Sequence, residues 1–144
     1  MRTISVPLTL INLQDDGFHL LVEIVVFGQK LLAVVDTGAS RSVFDKSFIK
    51  KHIKNLEHTE ETHATTLFTT SSTLQATIPK VKIGGLILKD YETVALDLEA
   101  VNQAYEGLGH PAIMAIIGGD LLLKYHAVID YRKMKLFLKK EEGR

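Results

Sequence analysis

Asp36-Thr37-Gly38-Ala39-Ser40 follows directly on the apolar run Leu31-Leu32-Ala33-Val34-Val35. Burial disfavours the charged form of an aspartate, so a carboxylate at the end of such a strand is normally paired, hydrogen-bonded or functional. Thr37 adds a hydroxyl that can donate and accept, and Gly38 lets other groups approach the backbone closely. Further along, Ala115-Ile116-Ile117-Gly118-Gly119-Asp120 is again an apolar strand running into glycine. A carboxyl group held in this way can take or give a proton, the chemistry of general acid–base catalysis. The plain alternative is a turn or helix-capping aspartate. Cysteine is absent, which excludes a thiol nucleophile, a zinc–thiolate centre and a disulfide framework. His52, His58 and His63 fit no common ligand spacing such as His-Glu-x-x-His and read as surface or loop residues, so no metal is expected. Asp15-Asp16-Gly17 lacks the other ligands of a calcium loop and reads as a turn.

The elements that must position Asp36 are mostly strands. Thr3 to Leu13 alternates with Ile4, Val6, Leu8 and Leu10 on one face, and Pro7 marks an edge or irregular strand. Phe18 to Phe27 and Lys30 to Val35 form a hairpin turning at Gly28-Gln29, which delivers the carboxylate. Ser42-Val43-Phe44-Asp45 has capping-box spacing and predicts a helix to about Lys54 that turns Phe44, Phe48 and Ile53 inward. Glu57 to Gln75 is rich in threonine and serine and reads as a hairpin with its apex near Thr69 to Ser72. Ile78 to Ile83, a turn at Gly84-Gly85 and Leu86 to Asp97 make another hairpin, whose layout loosely echoes the first. Leu98 to Tyr105 predicts a short helix ended by Gly107-Leu108-Gly109, with a loop at His110-Pro111. Ile113 to Ile117 reads as a strand and Gly119 to Tyr125 as a short helix. The closing strands are His126 to Tyr131 and Lys135 to Leu138, joined at Arg132-Lys133. The lysines from Lys133 to Lys140 read as a solvated strand face.

From about Gly17 to Leu138 this arrangement resembles the single-lobed, retropepsin-like aspartic protease family. The residues that carry the resemblance are the hairpin, Asp36-Thr37-Gly38, and Ile116-Ile117-Gly118 with the strands after it. A helix soon after the motif is more similar to bacterial and cellular members than to retroviral ones, which are extended there. The resemblance implies an all-β fold: a closed acid-protease barrel of six or more strands with one to three short helices. It implies that Asp36 is the catalytic acid/base of an aspartic endopeptidase. Thr37, Gly38, Ile117 and Gly118 would support the catalytic loop, with Thr37 hydrogen-bonding across to a partner chain. Gly38, Ala39 and Ser40 would meet substrate.

Family enzymes activate water with two carboxylates that share one proton. This chain has a single Asp-Thr-Gly, and neither Asp97 nor Asp120 is followed by Thr/Ser-Gly. The resemblance therefore implies a homodimer with Asp36 of each copy on the two-fold axis. Retroviral members often carry acidic residues where Ser40 and Arg41 stand and an arginine after the second glycine, so Arg41 reads either as an exchanged ion pair with Asp120 or as solvated. The family's flap hairpin usually has a glycine-rich tip. No glycine lies between Gly38 and Gly84, so Thr66 to Thr73 would serve as flap, with Leu67 and Phe68 lining subsites.

A chain of 144 residues, 46% hydrophobic and 24% charged, suits one globular domain over residues 1–144. Seventeen basic and seventeen acidic residues give zero formal charge, which argues against nucleic-acid binding. The amino terminus has no apolar signal segment, and no run reaches the length of a membrane helix. A cytoplasmic protein that needs no cofactor and acts on peptides or proteins is the expectation. The competing class is a catalytically silent peptide-binding or dimerisation module on the same fold.

Overall fold

The computed structural model describes residues 1–53, 57–65 and 70–141, and of residues 57–65 and 70–73 the backbone alone. Ten strands follow in chain order: β1 (Arg2–Asn12), β2 (Phe18–Val26), β3 (Gln29–Val35), β4 (Val43–Asp45), β5 (Glu57–Thr65), β6 (Thr70–Ile83), β7 (Leu86–Leu96), β8 (Ala115–Ile117), β9 (Val128–Asp130) and β10 (Lys135–Lys140). Three short helices, α1 (Lys46–His52), α2 (Glu99–Gly107) and α3 (Gly119–Lys124), complete the all-β architecture.

Six strands close into a barrel in the order β2-β3-β8-β4-β7-β6, with β6 returning to β2 through Val25–Lys82 and Val26–Val81. β3 and β8 run parallel, as do β4 and β7, and β4 and β8 meet antiparallel at the centre. Exchanging β2 with β6, β3 with β7 and β4 with β8 leaves the ring order unchanged. The loose echo between the two hairpins in the sequence is this internal two-fold. It puts Asp36 and Asp97 at equivalent strand ends.

Outside the ring, β5 pairs with β6, and β1 carries β10 and β9. β1 pairs with β10 from Arg2 to Pro7 and with β2 from Leu8 to Asn12. The partner changes at Pro7, which has no N–H to give a ladder. The irregularity expected at Pro7 is this switch. Its side-chain alternation slips after it: Leu10 is exposed, whereas Ile11 is buried.

The β2–β3 hairpin turns at Phe27 and Gly28, both with positive φ, one residue earlier than Gly28-Gln29. Two positive φ values suit a two-residue turn whose twist matches the strands. Phe27 is held there by stacking on His52 of α1 at 4.5 Å.

The expected helix start at Ser42 is corrected. Val43, Phe44 and Asp45 form β4, buried between β7 and β8, and α1 begins only at Lys46. Ladder partners on both sides outweigh the local capping signal. Asp45 takes over as the cap: Oδ2 accepts from Phe48 N at 3.1 Å and Oδ1 from Leu98 N at 3.1 Å. Phe44 still points inward, but from a strand, and α1 buries Phe48 and Ile49.

Two apolar clusters fill the molecule. One contains Val22, Ile24, Phe44, Ile78, Ile83 and Leu136. The other gathers Leu21, Val34, Val43, Val94, Ile116 and Tyr105 of α2. Adjacent strand residues such as Leu20 and Leu21 feed opposite clusters, as a pleated strand requires. The Asn102 amide ties α2 down by bonding both the N–H and the carbonyl of Ile113, at 2.8 and 2.9 Å.

Candidate active site

β3 and β8 run parallel through Val35–Ile117, and Asp36 continues the ladder by donating its N–H to Ile117 O at 2.9 Å. The chain then turns sharply. Gly38 N donates to Asp36 Oδ1 at 2.9 Å and Ala39 N to Asp36 O at 3.2 Å. The aspartate side chain thus organises its own loop while remaining half-exposed. Thr37, Gly38 and Ser40 are exposed, whereas Ala39 is 0% exposed and packs into the second cluster.

The second motif forms the seat of this loop. Gly119 N donates to Ala39 O at 2.7 Å. A Cβ on Gly118 would stand 2.7 Å from Ala39 O and 2.9 Å from the Arg41 carbonyl, backbone atoms that cannot swing aside. Gly118 is therefore required by close approach of two chain segments. Its N–H donates to Ser42 Oγ at 2.8 Å, and Ser42 in turn donates N–H and Oγ–H to Asp120 Oδ1 at 2.9 and 2.8 Å. Leu121 N reaches the same oxygen at 2.8 Å.

Asp120 thus takes Ser42 as its partner while Arg41 stays exposed, the second of the two readings the sequence left open. Backbone sets this choice, since Ser42 enters β4 directly beside the start of α3. Ser42, read from sequence as a helix cap, is a link between the two motifs instead. Tyr91 joins the same group. Burial and then the Asp120 carboxylate push its phenol up to about 12, with hydrogen bonding to Ser42 and Thr93 and the Arg41 charge opposing. Tyr91 had no sequence signal, because it reaches the site only through folding of β7 against β4.

Asp97, at the equivalent strand end, accepts from Glu99 N at 2.9 Å as Asp36 does from Gly38 N, but it leads into α2 and has no Thr/Ser-Gly after it. The apex expected near Thr69 to Ser72 is displaced, because Ser71 and Ser72 lie within β6 and pair with Ala64 and His63 of β5. The proposed flap residues Leu67 and Phe68 lie outside the described residues. Among the described residues, no three His, Cys, Asp or Glu side chains gather as a metal site, and no helix is long and apolar enough to cross a membrane.

The sequence profile of the aspartyl protease family matches residues 22–121, and the chain belongs to that family. Several solved structures are similar to it, two of them as follows. A retropepsin-like aspartic protease from Rickettsia conorii shares 22% identity over 95% of this chain and 89% of that one, with a TM-score of 0.57. The retroviral protease-like domain of Ddi1 from Leishmania major shares 16% identity over 84% and 88%, with a TM-score of 0.54. No curated protein sequence matches. The retropepsin-like fold and the likeness to a bacterial member agree with the expectation from the sequence.

Proposed function

We propose that two copies of this chain each present Asp36 to one shared site, where the pair hydrolyses peptide bonds as an aspartic endopeptidase. The observation that carries this reading is the seating of Asp36. Its backbone is locked to β8, its Oδ1 is fixed by Gly38 N–H, and the loop behind it is pinned against Gly118. A turn aspartate with no other task needs none of that second support.

Like charges at close range cannot both ionise, so the two carboxyls hold one proton between them. The ionised carboxylate takes a proton from water as the water oxygen attacks the peptide carbonyl carbon. The protonated one gives its proton to the carbonyl oxygen, leaving a tetrahedral diol. The carboxyl that took the water proton then gives it to the amide nitrogen, and the other takes a proton from a diol hydroxyl as the C–N bond breaks, which releases acid and amine and restores the shared proton. Thr37, exposed at the loop tip, would bond across to the partner chain. Gly38 and Ser40 would bond extended substrate backbone, with Leu67 and Phe68 covering it.

Cleavage of an unstructured protein or fluorogenic peptides tests the reading directly. Asp36→Asn should lower the rate by roughly 100-fold to 10,000-fold, the range for lost acid–base catalysis, while leaving the melting temperature nearly unchanged. Full activity in that variant removes Asp36 from the chemistry. Peptide binding without cleavage by the unaltered protein marks the silent module instead.

A further inference from the structure

One stretch of the chain departs from its overall neutrality. Residues 124–140 hold six of the seventeen basic residues and one of the seventeen acidic ones, Asp130. Charge asymmetry of this kind points to an anionic partner. In the fold the stretch covers the end of α3, β9 and β10, and these two strands form the terminal sheet with the first half of β1. Solvation accounts for the exposure of these lysines but not for their grouping.

The inner side of that sheet sends Ile4, Val6, Leu136 and Leu138 into the first apolar cluster. Alternation puts Lys135, Phe137 and Lys139 of β10 on the outer side, beside Val128 of β9, the register partner of Phe137. Lys135, Lys139 and Val128 are exposed. Lys133, in the turn between β9 and β10, sets its ammonium 5.9 Å from the Phe137 ring centroid, within cation–π range. Three lysines thus surround a small apolar centre. Asp130 stands opposite Lys135, and its Oδ1 is taken by the Lys133 N–H at 2.8 Å. The β1 neighbours on this side, Thr3 and Ser5, are uncharged. More apolar surface lies alongside: Leu123 at the end of α3 is 79% exposed and Tyr131, just after β9, 67%. The end of α3 is moored to this sheet, since Tyr125 O accepts the Lys139 N–H at 2.7 Å.

We propose that the outer side of the terminal sheet docks the protein on an anionic lipid surface. Exposed aliphatic and aromatic tips set among lysines match a lipid interface, where the tips enter the headgroup layer and the ammonium groups meet phosphates. A nucleic acid offers the phosphates but no apolar layer for Leu123 and Val128. Attachment of this kind is peripheral, and it asks nothing of the protease activity proposed for Asp36.

Co-sedimentation with vesicles tests this, using phosphatidylcholine alone or mixed with phosphatidylglycerol. The full chain should bind only the mixed vesicles and be released as salt rises from about 0.05 M to about 0.5 M. Lys133→Gln, Lys135→Gln and Lys139→Gln together should lower the partition coefficient about 100-fold, and each alone about fivefold. The single variants keep the test open if the triple one does not fold. Lys80→Gln, Lys82→Gln and Lys89→Gln together remove the same charge from β6 and β7 and should change it less than about twofold. No binding to the mixed vesicles at low salt overturns the proposal. Equal losses in the two triple variants also overturn it, because attraction then follows net charge and not this face. Binding to duplex DNA that exceeds vesicle binding and is lost in the first triple variant overturns the lipid assignment in favour of nucleic acid.

Discussion

At the scale of single residues, the sequence announced Asp36 and Gly118 but not what ties them together. Asp-Thr-Gly after an apolar strand is visible because burial of a carboxylate needs a reason. The Ser42–Asp120 pair is not visible, since it joins side chains far apart in the chain whose meeting depends on β4 lying beside β8. Arg41 looked the better partner on charge alone, yet its neighbour Ser42 is the one carried inward, 2% exposed. The glycine makes the sharpest prediction here. Gly118→Ala forces a methyl to within 2.7 to 2.9 Å of backbone atoms, so the catalytic loop must shift. Overpacking of this kind costs about 1–3 kcal/mol. Denaturant unfolding should show that loss, and activity should fall further than stability does. Tyr91 gives a second. Its phenol is raised from 10.0 to about 12, so the folded form keeps its proton after the unfolded chain loses it. The resulting contribution is complete below pH 10 and is lost as pH rises toward 12. Tyr105 behaves in the same sense. Tyr91→Phe should therefore make the stability curve flatter between pH 10 and 12. An unaltered alkaline slope in that variant would remove Tyr91 as a cause.

At the scale of elements, periodicity and turn chemistry gave the β2–β3 hairpin, the three helices and the closing strands to within a few residues, whereas the strands read as ending near Gln75 and starting at Ile78 are one strand, β6, that pairs with both β5 and β7. The errors share a cause. Local signals were overruled wherever an element had partners on both sides. Ser42 to Asp45 carries a capping pattern, but a strand there completes two ladders, and the cap moves to Asp45. Leu10 continues the alternation of β1 by sequence, but the change of partner at Pro7 turns it outward. The turn at Phe27-Gly28 depends on the contact with His52, which lies in another element. Asp45 can be tested in the same terms. It satisfies one N–H in α1 and one at the start of α2, so Asp45→Ala leaves two buried donors without a partner. Loss of a cap and of a buried acceptor predicts destabilisation of about 2–4 kcal/mol. Chemical denaturation measures it, and a loss under about 0.5 kcal/mol would show that the two donors find other acceptors.

At the scale of the whole molecule, the barrel is built from two similar halves, yet only one half ends in Asp-Thr-Gly. Asp36 and Asp97 occupy equivalent strand ends, and each accepts the N–H two residues on, but Asp97 is followed by Leu98-Glu99 and not by Thr/Ser-Gly. In the proposed mechanism the second carboxylate is Asp36 of another copy, which makes an intact site a property of the pair. Subunit mixing tests that sharing. The unaltered protein and Asp36→Asn are combined in varying ratio at fixed total concentration, after subunits have exchanged, with light scattering to follow assembly. If each site needs Asp36 from both chains, activity falls as the square of the unaltered fraction, to about one quarter in an equal mixture. A fall in simple proportion, to about one half at the same ratio, would contradict the shared site and return catalysis to the single chain.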